Sequence, residues 1–158
     1  DLVCVEPRIL AYYKPSKMSS GVKVDNEVKV EYKNIKMSKS YRYLILGLSD
    51  DLKSIVVKKK APAGTTYDEF LADMKEVEDS NECRYAIYDF QYKVRGQDNA
   101  KLIFVTWSPD SANIKQKMIY AASKDALKRE LGEGLAGHVQ ASDFEDLKEE
   151  EIQKLISK

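Results

Sequence analysis

The chain has 158 residues and an even balance of charge, 26 Lys and Arg against 26 Asp and Glu. That length suits one domain with a sizeable core. Zero net charge argues against a general nucleic-acid or membrane binder, which carries an excess of positive charge. No apolar run approaches the roughly 20 residues of a membrane span. The cysteines, Cys4 and Cys83, lack C-x-x-C spacing, so a reducing, cytoplasmic setting is expected rather than a disulfide framework.

In chain order, Asp1–Lys17 contains Pro7 and Pro15, which discourage a continuous helix. Two readings stand for it: an extension upstream of a natural start at Met18, expected to be disordered, or an arm that packs Ile9, Leu10, Tyr12 and Tyr13. Ser19-Ser20-Gly21-Val22 is flexible by composition. Val28, Tyr32 and Ile35 lie near helical spacing from Val24, which predicts an amphipathic helix over Val24–Met37. Tyr41–Leu48 and Ser54–Lys58 are β-rich runs joined by Ser49-Asp50-Asp51, a hairpin pattern. Lys58-Lys59-Lys60 reads as a charged strand end that blunts a sheet edge.

Thr66 with Glu69 forms a capping-box pattern ahead of Phe70, Met74 and Val77, predicting a helix over Thr66–Asp79. Arg84–Val94 alternates, with Tyr85, Ile87 and Asp89 to one face and Ala86, Tyr88 and Phe90 to the other. Lys101–Trp107 is nearly continuous β-former, as a central strand buried on both faces should be. Arg95–Asn99 between them is a turn.

Ser108, Pro109 and Asp110 then read as N-cap and first turn of a long helix. A bend is expected at Ser123-Lys124-Asp125, and Gly132 and Gly134 stop the helix. Ile114, Met118 and Ala121 share one side, with Lys115 and Lys117 flanking Met118. A core helix with a solvated basic edge accounts for the pattern; so does a helix that packs a core and still offers a partner surface.

Gly132–Gly137 formally matches G-x-G-x-x-G, but a helix precedes it and a short strand follows, the reverse of the dinucleotide fingerprint. The sole histidine, His138, is expected to be exposed and outside any catalytic constellation. No enzyme activity, metal or cofactor is expected. Ser142–Glu145 reads as one turn and Glu149–Ser157 as a last helix, with Ile152, Leu155 and Ile156 inward.

Several stretches stand in a telling order: MSSGVKVD (Met18–Asp25), YRYLIL (Tyr41–Leu46), CRYAIYDFQY (Cys83–Tyr92), KLIFVTWSPD (Lys101–Asp110), SPDSANIKQKMIYAASKDALKREL (Ser108–Leu131) and VQASDF (Val139–Phe144). Together they resemble the ADF/cofilin family over Met18–Lys158. The resemblance implies a single α/β domain over residues 18–158, a central mixed β-sheet flanked by helices on both faces. It also implies an actin-binding protein that takes monomers and filament sides, prefers ADP-actin, and promotes severing and depolymerisation. The alternative is a module of the same fold that binds an actin-related complex rather than filaments.

By the same resemblance, Ser20, Gly21, Val22, Lys115, Lys117, Met118, Lys128 and Arg129 would contact actin. Arg95, Lys101, Lys154 and Lys158 would contact the filament. Asn99, Glu130 and Leu155 stand where family members carry basic residues. Ser20 matches a regulatory phosphorylation position, implying a kinase and a phosphatase as partners; phosphate adds about −1.5 to −2 charges. Phosphoinositide headgroups would compete for Lys115, Lys117, Lys128 and Arg129. A monomer in the cytoplasm and actin cytoskeleton is expected, with Lys58–Lys60 a weak nuclear-entry signal and no nucleic acid as partner.

Overall fold

The computed structural model describes residues 21–156. Its elements are β1 (Lys23–Val24), α1 (Asn26–Lys33) opening into a wider π turn (Asn34–Ser38), β2 (Tyr41–Leu48), β3 (Ser54–Pro62) and α2 (Tyr67–Asp79). There follow β4 (Arg84–Val94), β5 (Gln97–Trp107), α3 (Ile114–Leu131), β6 (Leu135–Ala141), a 3-10 turn (Phe144–Leu147) and α4 (Glu149–Ile156). The strands form one mixed sheet in the order β1-β3-β2-β4-β5-β6. The outermost pairs, β1 with β3 and β5 with β6, are parallel; the pairs between them are antiparallel.

Strand alternation divides the core into two layers, one on each sheet face. Tyr85 and Ile87 of β4 point to the layer that holds Val28 and Tyr32 of α1 and Tyr120, Leu127 and Leu131 of α3. Ala86, Tyr88 and Phe90 point to the other, with Phe70 and Met74 of α2 and Ile152 and Ile156 of α4. The expected mixed sheet with helices on both faces is therefore present. The Thr66 capping box is present too: its hydroxyl accepts from Glu69 N at 3.2 Å, and the Glu69 carboxylate accepts from Thr66 N at 2.7 Å.

Three local expectations are corrected. The long helix does not begin at Ser108: Ser108 N still donates to Ala141 O, and Pro109–Ala112 makes a separate turn. The cap is Asn113, whose Oδ1 accepts from Gln116 N at 2.8 Å. The helix also runs unbroken through Ser123, which is fully buried and hydrogen-bonds Tyr85. A core partner replaces the local backbone bonds that would favour a break. The β4–β5 ladder continues to Val94↔Gln97, which leaves a two-residue loop. Arg95 and Gly96, with φ of 52° and 80°, supply the two positive torsions that such a tight hairpin requires. Gln97, Asp98 and Asn99 read as loop because they are polar, yet they extend a strand past the edge of the core.

One residue fixes α3 to the sheet from two sides. The Tyr85 hydroxyl donates to the Tyr120 carbonyl, and the Tyr120 hydroxyl accepts from Leu48 N at 2.9 Å. Both phenols are buried. Tyr120→Phe removes the acceptor and leaves the Leu48 N–H unpaired. It is expected to cost roughly 1–3 kcal/mol, read as a lower urea midpoint at constant slope; an unchanged midpoint contradicts this role.

Candidate functional site

With its inner side fixed, α3 turns the opposite side to solvent. Ile114 and Met118 are 73% and 65% exposed, although each is large and apolar. Ala121, Asp125 and Arg129 continue the same exposed stripe at helical spacing. Lys115 is exposed beside Met118. Lys117 is half-buried, and its ammonium donates to the Asp110 carbonyl at 3.1 Å, bracing the turn that leads into the helix. The sequence placed Ile114 and Met118 on one side; burial now shows that this side faces water.

The start of the described chain lies at the same end of the sheet. Lys23 N donates to Lys53 O and Asp25 N to Ile55 O, which seats β1 beside the start of β3. Leu48, the partner of Tyr120, closes the other side of that β2–β3 connection. Gly21 is exposed with φ of 69°, and Val22 packs on the core layer that also takes Ile119. Gly21, Val22, Lys115, Lys117 and Met118 therefore gather at one end. Ser20 lies outside the described residues.

Lys128 and Arg129 sit at the other end of α3, about 16 Å along the helix from Met118. Arg129 is exposed, whereas Lys128 is half-buried. Lys124 and Lys128 both act on the His138 ring of β6. His138 corrects the expectation of an exposed histidine: it is half-buried, its Nε2 lies 3.0 Å from Thr106 Oγ1, and its ring lies against Phe104. Burial first, then the charges of Lys124 and Lys128, push its pKa down to about 4.

The remaining candidates lie at the opposite end of the sheet, where the β4–β5 hairpin projects. Arg95 is exposed at its tip, and Lys93 pairs with Asp98 at 2.9 Å across it. Lys101 is half-buried, and its Nζ donates to the Ile156 carbonyl at 2.8 Å. It thus closes the C-terminal, negative end of α4 and ties that helix to the hairpin base. Lys154 is 75% exposed and lies 3.2 Å from Glu151. Lys158 is outside the described residues. Among the described residues no group of three His, Cys, Asp or Glu is placed to hold a metal ion, and no helix is long and apolar enough to cross a membrane.

The described residues thus form a mixed sheet covered by two helix pairs, with one helix presenting an apolar stripe edged by lysine. The crystal structure of Streptomyces griseoflavus cofilin superposes with a TM-score of 0.76 at 39% identity, covering 85% of this chain and 96% of that one. Plasmodium berghei actin depolymerization factor 2 superposes with a TM-score of 0.74 at 28% identity, covering 88% of this chain and 99% of its own. A cofilin of Saccharomyces cerevisiae is 39% identical over 141 residues, spanning 88% of this chain and 94% of the relative. Residues 21–157 match the family of cofilin/tropomyosin-type actin-binding proteins. The chain belongs to that family.

The histidine environment yields a clean test, because the chain has a single histidine. Its neutral form is favoured in the folded state, while the unfolded chain takes up a proton near pH 6.5. Stability is therefore full above about pH 6.5 and falls as pH drops from there toward about 4. The ring resonances should titrate with a midpoint well below 6.5, and His138→Gln should flatten the stability profile over that window. A midpoint at or above 6.5 contradicts the assignment.

Proposed function

We propose that this protein binds actin monomers and the sides of actin filaments, favours the ADP state, and promotes severing and depolymerisation. The observation that carries the reading is the exposed Ile114–Met118 pair, large apolar side chains kept in water by an otherwise well-packed helix. Burying such a side chain in a cleft is worth about 1.5–3 kcal/mol. Lys115 edges the stripe and steers it toward an acidic rim, and Lys117 holds the approach to the helix. Gly21 and Val22 extend the contact, and Lys128 and Arg129 continue it toward the far end of α3.

Filament contact is proposed at the other end, through Arg95, Lys101 and Lys154, and through Lys158, which follows α4 in the chain outside the described residues. Within α4, Glu149, Glu150 and Glu151 precede Lys154, and Glu151 lies 3.2 Å from it. Ser20 is the proposed phosphorylation site, next to the exposed Gly21, where added negative charge would oppose docking. Phosphoinositide headgroups are proposed to compete for Lys115, Lys117, Lys128 and Arg129. The setting that fits is the cytoplasm and the actin cytoskeleton. Nuclear entry through Lys58–Lys60 has less support, because Lys59 and Lys60 pair with Asp73 and Glu31.

Ile114→Ser combined with Met118→Ser is expected to weaken binding to ADP-actin monomers about 10–100-fold, with stability changed by no more than about 0.5 kcal/mol. Unchanged affinity removes the stripe from the interface. Arg95→Glu with Lys154→Glu should reduce co-sedimentation with filaments and spare monomer binding. Equal loss in both assays contradicts the division between the two ends.

A further inference from the structure

A second apolar stripe edged by lysine lies on α1, apart from the one on α3. Val30 and Met37 are 49% and 71% exposed. Lys33 sits between them at helical spacing, and the π turn carries Met37 outward. Lys29, Lys33, Lys36 and Met37 form one wall of a groove of about 230 Å³, and Glu130 and Leu131 of α3 form the other. Tyr32 makes the floor. Its hydroxyl and Lys36 Nζ both donate to the Glu133 carbonyl, at 3.1 and 2.9 Å. Gly134 keeps that end of the groove tight, since a Cβ there would meet Tyr32 Oη and Lys36 Cε at 2.9 Å. The groove is thus preformed by the junction of α1 with the end of α3.

We propose that this groove docks an acidic, amphipathic peptide segment of a protein partner. Its aliphatic or aromatic anchor seats against Met37 and Leu131, and its carboxylates face Lys33 and Lys36. Charge complementarity selects this occupant. The lysines recur over about 10 Å of α1, the repeat at which carboxylates on successive turns of a partner helix would meet them. The one carboxylate on the opposite wall, Glu130, is taken up by Lys29 at 3.3 Å. The floor is recessed, with Tyr32 and Leu131 only 4% and 8% exposed, so a side chain reaches what a flat lipid surface does not. Met118 and Leu131 are about 20 Å apart along α3. The groove is therefore distinct from the Ile114–Met118 stripe.

The test uses the full 158-residue chain, isotopically labelled, and a synthetic helical peptide in which Glu recurs at i, i+4 and i+7 around one Leu. Saturable binding is expected, with resonance shifts centred on Val30, Lys33, Lys36, Met37 and Leu131. Lys33→Glu with Met37→Ser, both on exposed side chains, should lower affinity about tenfold or more while leaving the circular dichroism spectrum unchanged. A peptide with Gln in place of Glu should lose binding. The proposal is overturned by absence of saturable binding, by shifts centred on Ile114–Met118 instead, or by affinity that ignores the double substitution. It is equally overturned if phosphatidylserine vesicles move the α1 resonances and the peptide does not.

Discussion

Everything presented by α3 depends on how Tyr120 is held. Its carbonyl takes the Tyr85 hydroxyl, and its own hydroxyl takes the Leu48 amide from the neighbouring strand. The bonds are made among buried rings, where an unpaired donor is costly. They set the rotation of an 18-residue helix, so that Ser123, Leu127 and Leu131 face inward and Ile114 and Met118 cannot. An apolar stripe in water is unfavourable for the isolated domain. It persists because turning it inward would break this junction and pull four well-packed residues out of the core.

Zero net charge conceals a strongly uneven layout. The helices on one sheet face carry Asp68, Glu69, Glu76, Glu78 and Asp79 on α2 and Glu149–Glu151 on α4. The opposite face carries the basic residues of α3, in excess over Asp125 and Glu130, and the lysines of α1, interleaved with Glu27 and Glu31. Such an arrangement leaves the molecule with little long-range attraction for polyanions, yet gives each face a definite preference at contact range. The same layout separates the apolar-basic stripe near Gly21 from the hairpin and α4 at the other end. The two ends are joined through α3 and the sheet, both rigid elements.

Much of the architecture was legible in the sequence because pattern and environment agree. The alternation of Arg84–Val94 follows from a strand with a core layer on each face, and the capping box at Thr66 is a local motif that needs no tertiary help. The failures came where tertiary contacts overrode local chemistry. Ser108-Pro109-Asp110 is an excellent helix start, but the sheet holds the Ser108 amide, so the helix waits for Asn113. Ser123-Lys124-Asp125 resembles a break until Tyr85 is seen above Ser123. His138 beside glycines looked exposed, and only the packing of β6 against β5 and α3 covers it. For the site, the sequence gathered Ile114 and Met118 on one side. Which side faces solvent was decided by Tyr120, whose partners lie 35 and 72 residues away in the chain.

The central claim is that the outward stripe of α3, together with the chain at Gly21–Val22, forms the surface that meets actin. Cross-saturation from unlabelled ADP-actin monomers to the deuterated, labelled protein addresses it directly, because it reports proximity without altering a residue. The account predicts the strongest intensity losses at Ile114, Lys115, Met118 and Val22, with α2 and the outer face of α4 unaffected. Losses centred on α2 and α4, with the α3 stripe untouched, would contradict it.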